Sequence, residues 1–138
     1  MITKEEIRSI PELHKSIQRD KKHLWFLREK STAVPSGLSD HERVQISPSN
    51  DQMHYVEEAV DLNREIEAKE AKLLELQTSA KEFIESLPHT TETEKLTVRV
   101  LRLRYLKCYT WESIGDLVGY VQRWPQQLEA DALKKLEK

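Results

Sequence analysis

Apolar side chains recur along this chain at steps of three and four, the period of an α-helix that buries one face. Ile10, Leu13, Ile17, Leu24 and Leu27 form one such stripe within a segment running from about Thr3 to Lys30. Pro11 stands near its start and is expected in the first turn of the main helix, where a missing N–H does no harm. The clearest pattern lies between Asp51 and Leu87. Tyr55, Ala59, Leu62, Ile66, Lys69, Leu73, Leu76, Ala80, Phe83 and Leu87 alternate steps of four and three, a heptad repeat with one polar insertion at Lys69. A helix of that length measures about 50 Å at 1.5 Å per residue, so its stripe needs a long partner. The first helix folding back as an antiparallel hairpin supplies part of one, and a second copy of the chain is the candidate for the rest. Between the two, residues 31–50 (STAVPSGLSDHERVQISPSN) are rich in Ser, Pro, Gly, Asn and Asp without periodicity, which predicts a loop.

After Pro88 the pattern breaks into three shorter helices. One is expected over Glu92–Leu106, followed by a turn at Lys107-Cys108-Tyr109. Thr110 is an N-cap for a short helix through Val118, and Gly119 is a stop that can take a left-handed backbone. A last helix starts near Trp124 with Leu128, Ala132, Leu133 and Leu136 inward. Leu103, Leu106, Ile114, Leu117 and Leu128 are the expected core where the three cross, with Trp111 covering the turn. The fold class is therefore all-α: a long antiparallel helical hairpin or coiled coil over 1–88, with the loop at 31–50, then a small three-helix, helix-turn-helix-like unit over 89–138.

Composition agrees with helices. Charged residues make up 33% and hydrophobic ones 38%, with three glycines and five prolines in 138 residues. The net charge is -2, which does not mark the whole chain as a nucleic-acid binder. Residues 91–138 hold nine Lys or Arg against seven Asp or Glu, a balance of +2, so the remainder carries -4. That asymmetry runs in the direction of a C-terminal nucleic-acid contact. Cys108 is the only cysteine, which excludes an intramolecular disulfide and fits a reducing compartment. No signal-like or membrane-length apolar run occurs, and a cytoplasmic location in a bacterial host is expected.

The stretch Val100 to Tyr120, VLRLRYLKCYTWESIGDLVGY, resembles the core of sigma-70 region 4-like helix-turn-helix domains. Leu103, Arg104, Tyr105, Leu106, Trp111, Glu112, Ile114, Gly119, Tyr120, Ala132 and Leu133 carry the likeness. With the N-terminal hairpin included, the whole chain is similar to a group of small phage and prophage proteins of Gram-positive bacteria, related more loosely to ArpU- and RinA-type late-gene regulators. The resemblance implies a transcription regulator that contacts DNA or the host RNA polymerase, and the long heptad stripe, which outruns the first helix, adds the expectation of a homodimer. It implies that Arg123, Gln122, Gln126 and Gln127 approach bases, and that Arg99, Arg102, Lys134 and Lys135 meet phosphates. The chain departs from the family where the last helix begins. Val121 replaces a capping hydroxyl residue, and Pro125 either strains the helix about one turn in or, the easier solution, stands in the first turn of a helix that restarts later; either way the groove-entering part is shortened and shifted. Glu129 and Asp131 add acid where a DNA-facing surface favours the opposite sign.

Those departures keep a second reading open, in which a degenerate helix-turn-helix acts as a protein-interaction module that modulates a host or phage protein. Trp124 and Val121 are its candidate anchors. A structural coiled-coil phage component is a third. The five histidines, His14, His23, His41, His54 and His89, have no metal-site spacing, and Cys108 has no neighbouring base. No phosphate-binding glycine loop occurs. No catalytic residue, metal or cofactor is expected.

Overall fold

A computed structural model of the chain describes residues 2–32 and 50–136. Within these, 86% of residues are helical and none is in a strand. The helices are α1 (Lys4–Thr32), α2 (Asn50–Glu85), α3 (Glu92–Leu101), α4 (Trp111–Val118) and α5 (Arg123–Leu133). A π turn, Arg102–Leu106, extends α3, and a 3-10 turn, Lys134–Leu136, extends α5. The loop expected over 31–50 lies, apart from Ser31, Thr32 and Asn50, outside the described residues, as does His41; Ser31 and Thr32 close α1 and Asn50 opens α2. No helix among the described residues is long and apolar enough to cross a membrane.

Helix α1 begins earlier than Pro11 suggests. Thr3 Oγ1 accepts from the Glu6 amide (3.1 Å) and Glu6 Oε1 accepts from the Thr3 amide (3.3 Å), a reciprocal cap that sets the start at Lys4. Pro11 therefore sits inside the helix, not in its first turn, and its ring is buried. A proline there removes the amide that would have bonded the carbonyl four residues back.

The chain divides into two compact units, and both long helices contribute to each. One unit is Ser16–Glu70. Ile17, Leu24 and Leu27 of α1 and Ala59 and Ile66 of α2 are buried there. Lys69 meets Ser16 and Asp20, whereas Arg28 and Ser31 share a depression with Val56, Ala59 and Asn63, so the two segments run antiparallel. The polar insertion in the heptad now has a cause. Lys69 Nζ donates to Asp20 Oδ2 at 2.6 Å and to Ser16 Oγ at 2.7 Å, and Lys21 pairs with Glu70 at 3.6 Å. A charge that is satisfied in only one alignment fixes the register of two otherwise similar apolar stripes.

The other unit is Met1–Lys15 with Ala71–Lys138, a division that differs from the boundary at residue 88 drawn from the sequence. It holds two apolar clusters. The larger joins Ile2, Ile7 and Ile10, Leu76, Ala80, Phe83, Ile84 and Leu87 to Val98, Leu101, Tyr105, Ala132 and Leu133. The smaller consists of Val100, Ile114 and Leu128, edged by Leu96, Leu103, Trp111 and Val118. The expected core of the last three helices is thus only partly right. Leu106 packs with the larger cluster, and Leu117 is 50% exposed, because α4 turns Trp111, Ile114 and Val118 inward.

The α3–α5 segment shares most of its apolar face with α1 and α2, leaving the small cluster of Val100, Ile114 and Leu128 as its own. Too little apolar surface remains to offset the ordering entropy of about fifty residues. Residues 89–138 expressed alone are expected to show no cooperative thermal unfolding by circular dichroism, whereas the full chain unfolds in one sigmoidal step for this unit; a fragment that melts cooperatively contradicts the shared core.

Candidate DNA-facing surface

Helix α3 starts from a full capping box. Thr91 accepts from the Glu94 amide and Glu94 accepts from the Thr91 amide at 3.0 Å. The Thr91 amide first, and then the Thr90 hydroxyl, which donates to the same carboxyl at 2.9 Å, hold the exposed Glu94 below its ordinary pKa. Between α3 and α4 the helix widens: Lys107 N–H bonds back five residues to the Arg102 carbonyl and Tyr109 N–H six residues to that of Leu103. Cys108 takes a left-handed backbone, φ 57°, and its thiol is pushed up in pKa, chiefly by burial. Gln77 of α2 reaches this corner. Its side-chain amide donates to the Tyr105 carbonyl at 3.0 Å and lies 3.5 Å from the Cys108 sulfur. Arg104 donates to the Tyr109 carbonyl and stacks 4.8 Å from the Trp111 ring centre, so Trp111 does cover the turn.

Thr110 caps α4 by accepting from the Ser113 amide, as expected. Gly119 ends it at φ 79°, the left-handed position that favours glycine. A less legible glycine is Gly115. A Cβ built on it would meet the Tyr120 carbonyl oxygen at 2.7 Å, so α4 and the following turn approach too closely for any side chain. Helix α5 then restarts at Arg123 with no side-chain cap, and Pro125, in its first turn, is buried as an inward anchor.

The inner face of α5 carries Pro125, Leu128, Glu129, Ala132 and Leu133. This corrects the sequence reading of Glu129, whose side chain does not face outward. Its Oε1 accepts from the Tyr105 hydroxyl at 3.1 Å and from Arg8 Nε at 3.3 Å. The pair is hydrogen-bonded and charge-balanced, which is what lets a carboxylate sit 6% exposed. Burial, then the Glu129 charge, raises the Tyr105 pKa, so the phenol stays protonated and keeps donating. Nothing in one-dimensional spacing links Arg8 to residue 129, and Gln77 is a second partner that sequence reasoning missed.

All eight residues expected to meet nucleic acid are exposed, and they fall into separate groups. Arg123, Gln127 and Lys134 follow steps of four and seven along α5 and its extension, one ridge opposite the buried face. Gln122 and Gln126 lie on the flank toward α4, where Gln122, Glu112 and Asp116 line a common depression. On the other flank Trp124, 40% exposed, shares a depression with Tyr120, Lys95 and Arg99. Arg99 also donates to the Leu117 carbonyl at 3.3 Å. Lys135 borders a third depression beside Thr93 and Thr97. Arg102 opens onto a groove against the end of α2, away from α5. Asp131, the outward acid of α5, is engaged by Lys134 at 3.5 Å and Gln127 at 3.1 Å.

No family model, curated protein or solved structure matches the chain. The class these observations define is an all-helical protein.

Tyr105→Phe removes a hydrogen bond to a buried carboxylate and is expected to lower unfolding free energy by about 2 kcal/mol in urea titrations. The same tyrosine gives a pH signature. Its folded pKa lies above the ordinary 10.0, so the unfolded chain ionises first and stability is lost as pH rises past that value. In Tyr105→Phe this part of the alkaline slope is absent. Gly115→Ala is expected to lower the melting temperature by several degrees, about 1–3 kcal/mol of overpacking strain, while Ala130→Gly at a half-buried helix position costs about 1 kcal/mol.

Proposed function

We propose that the chain is a phage-encoded transcriptional regulator of the sigma-70 region 4-like kind, with α4 and α5 as its helix-turn-helix pair and α1 and α2 as its helical hairpin. One observation carries this reading: α5 leaves the ridge Arg123–Gln127–Lys134 uncovered and turns its one acidic residue of the first two turns, Glu129, into the core. That withdraws one of the two acids, Glu129 and Asp131, that weigh against placing α5 in a DNA groove. In this reading Arg123, Gln122, Gln126 and Gln127 approach base edges, Gln as a donor–acceptor pair for adenine and Arg for guanine. Arg99, Lys134 and Lys135 meet the flanking phosphates, and a homodimer presents two such units to paired half-sites. Host RNA polymerase is the alternative target of the same surface.

A second reading has its own support. Leu117, Tyr120, Val121 and Trp124 are all at least 40% exposed around the α4–α5 turn, an apolar edge suited to a protein surface. In this version the helix-turn-helix is a degenerate interaction module that modulates a host or phage protein.

Electrophoretic mobility shifts of the full chain on phage promoter DNA at about 50 and 200 mM salt separate the two. The DNA version predicts binding that weakens steeply with salt and falls about tenfold or more in Arg123→Ala, a loss of one good base contact. Absence of binding at the lower salt ends it. The protein version predicts recovery of one partner in stoichiometric amount from nuclease-treated host lysate, lost in Val121→Asp.

A further inference from the structure

The Ser16–Glu70 unit leaves a second set of apolar side chains outside its core. The heptad stripe itself is taken up within the hairpin, where Ala59 and Ile66 are buried together with Ile17, Leu24 and Leu27. Beside it, Met53, Val56 and Val60 follow steps of three and four along a flank of α2, and all three are exposed. On α1, Trp25 is 66% exposed. These residues share one side of the hairpin. Trp25 stands four residues after Lys21 and three before Arg28, so the three form one ridge. Lys21 pairs with Glu70 at 3.6 Å, and Arg28 lines a depression with Val56, Val60 and Glu67, so both ends of the ridge adjoin the same flank of α2. Phe26 points about 100° round the helix from Trp25, where Lys30 stacks on it at 5.6 Å. The side thus carries a projecting indole next to a hollow of about 430 Å³ lined in part by Val56, Ala59 and Val60.

Charge separates the two helices. Residues 16–32 hold five Lys or Arg against two Asp or Glu, a balance of +3, and residues 52–70 hold two against six, a balance of -4. The exposed charges at this side follow the same division. Lys22 and Arg28 stand three residues either side of Trp25, and Glu57 and Glu67 stand three before and seven after Val60. A surface with its own knob, its own hollow and both signs of charge fits a second copy of itself, because a two-fold interface repeats every contact with the roles exchanged. Two such hairpins can be laid together in two ways. With the two-fold axis across the helices, α1 lies on α1 and α2 on α2, like charge on like. With the axis along the helices, each basic α1 lies on the acidic α2 of the other copy, and each Trp25 comes over the other's hollow. Coulomb energy selects the second.

We infer that the chain forms a two-fold dimer through this side of the Ser16–Glu70 hairpin, an antiparallel four-helix bundle in which each Trp25 enters the depression of the other copy beside Val56 and Val60. The Lys22–Arg28 edge of one copy meets the Glu57–Glu67 edge of the other. This deepens the regulator reading by giving its homodimer a surface, and in that respect rests on it.

Sedimentation equilibrium of the full chain without DNA is the test. The wild-type chain is expected to dimerise. Trp25→Ala is expected to raise the dissociation constant by on the order of tenfold or more, with helix content unchanged, since a seated tryptophan is the typical anchor of an interface. Lys22→Glu/Arg28→Glu and Glu57→Lys/Glu67→Lys are each expected to be monomeric alone and to dimerise when mixed, because only the mixed pair restores opposite charge at both edges. The inference is overturned by a monomer at the highest concentration reached, by assemblies beyond a dimer, by a dimer that Trp25→Ala leaves as tight, or by reversed chains that do not recover on mixing. A monomer whose Trp25 indole proton exchanges slowly with water puts part of the same chain on this surface and overturns it too. Because no DNA is present, a dimer that shifts no promoter DNA supports the surface while the DNA reading fails, and a DNA-binding monomer does the reverse.

Discussion

Three short helices cannot bury their own apolar faces, and that shortage governs this protein. Val100, Ile114 and Leu128 close one small contact among α3, α4 and α5. The rest of what these helices must hide, Val98, Leu101, Tyr105, Ala132 and Leu133, packs against Ile7 and Ile10 of α1 and Leu76, Phe83 and Ile84 of α2. Because the large cluster holds the back of α3 and α5 in place, the turns between them can be tight and their outer faces can remain polar. Burial at about 25 cal/mol per Å² is non-directional, so this cluster supplies stability without deciding which residues face out.

Direction comes from a few polar bonds set into apolar surroundings. Lys69 on Asp20 and Ser16 fixes how α1 and α2 align in the Ser16–Glu70 unit. In the other unit Glu129 is held by Tyr105 and Arg8, and Gln77 donates to the Tyr105 and Leu106 carbonyls at the end of the π turn. Each group would be costly if left unpaired, and each finds its partner in one arrangement only. The Glu129 contact has the widest effect. By drawing the carboxylate inward it fixes the rotation of α5 and leaves Arg123, Gln127 and Lys134 on the free side.

The charge of the C-terminal region is consequently organised although its balance is small. Acid gathers on α4 at Glu112 and Asp116, next to Gln122. Cations gather along α3, and a sparser set follows the α5 ridge. A surface that separates its signs in this way carries faces of different potential side by side, a polar ridge on α5 and a row of cations on α3.

Helix type and position were largely written in the chain. The heptad from Tyr55 to Leu87, the Thr110 cap and the Gly119 stop are local: each depends on neighbours within one or two turns, and a period or a cap is visible in the letters. The start of α1 was equally local, in the Thr3–Glu6 box, and Pro11 drew attention from it. What the letters did not carry was which side each short helix turns inward. Leu117 and Glu129 look like a core leucine and a surface acid, and the structure exchanges their environments. The partners that decide this, Arg8, Gln77 and the Tyr120 carbonyl against Gly115, are distant in sequence or belong to the backbone, and only packing brings them together.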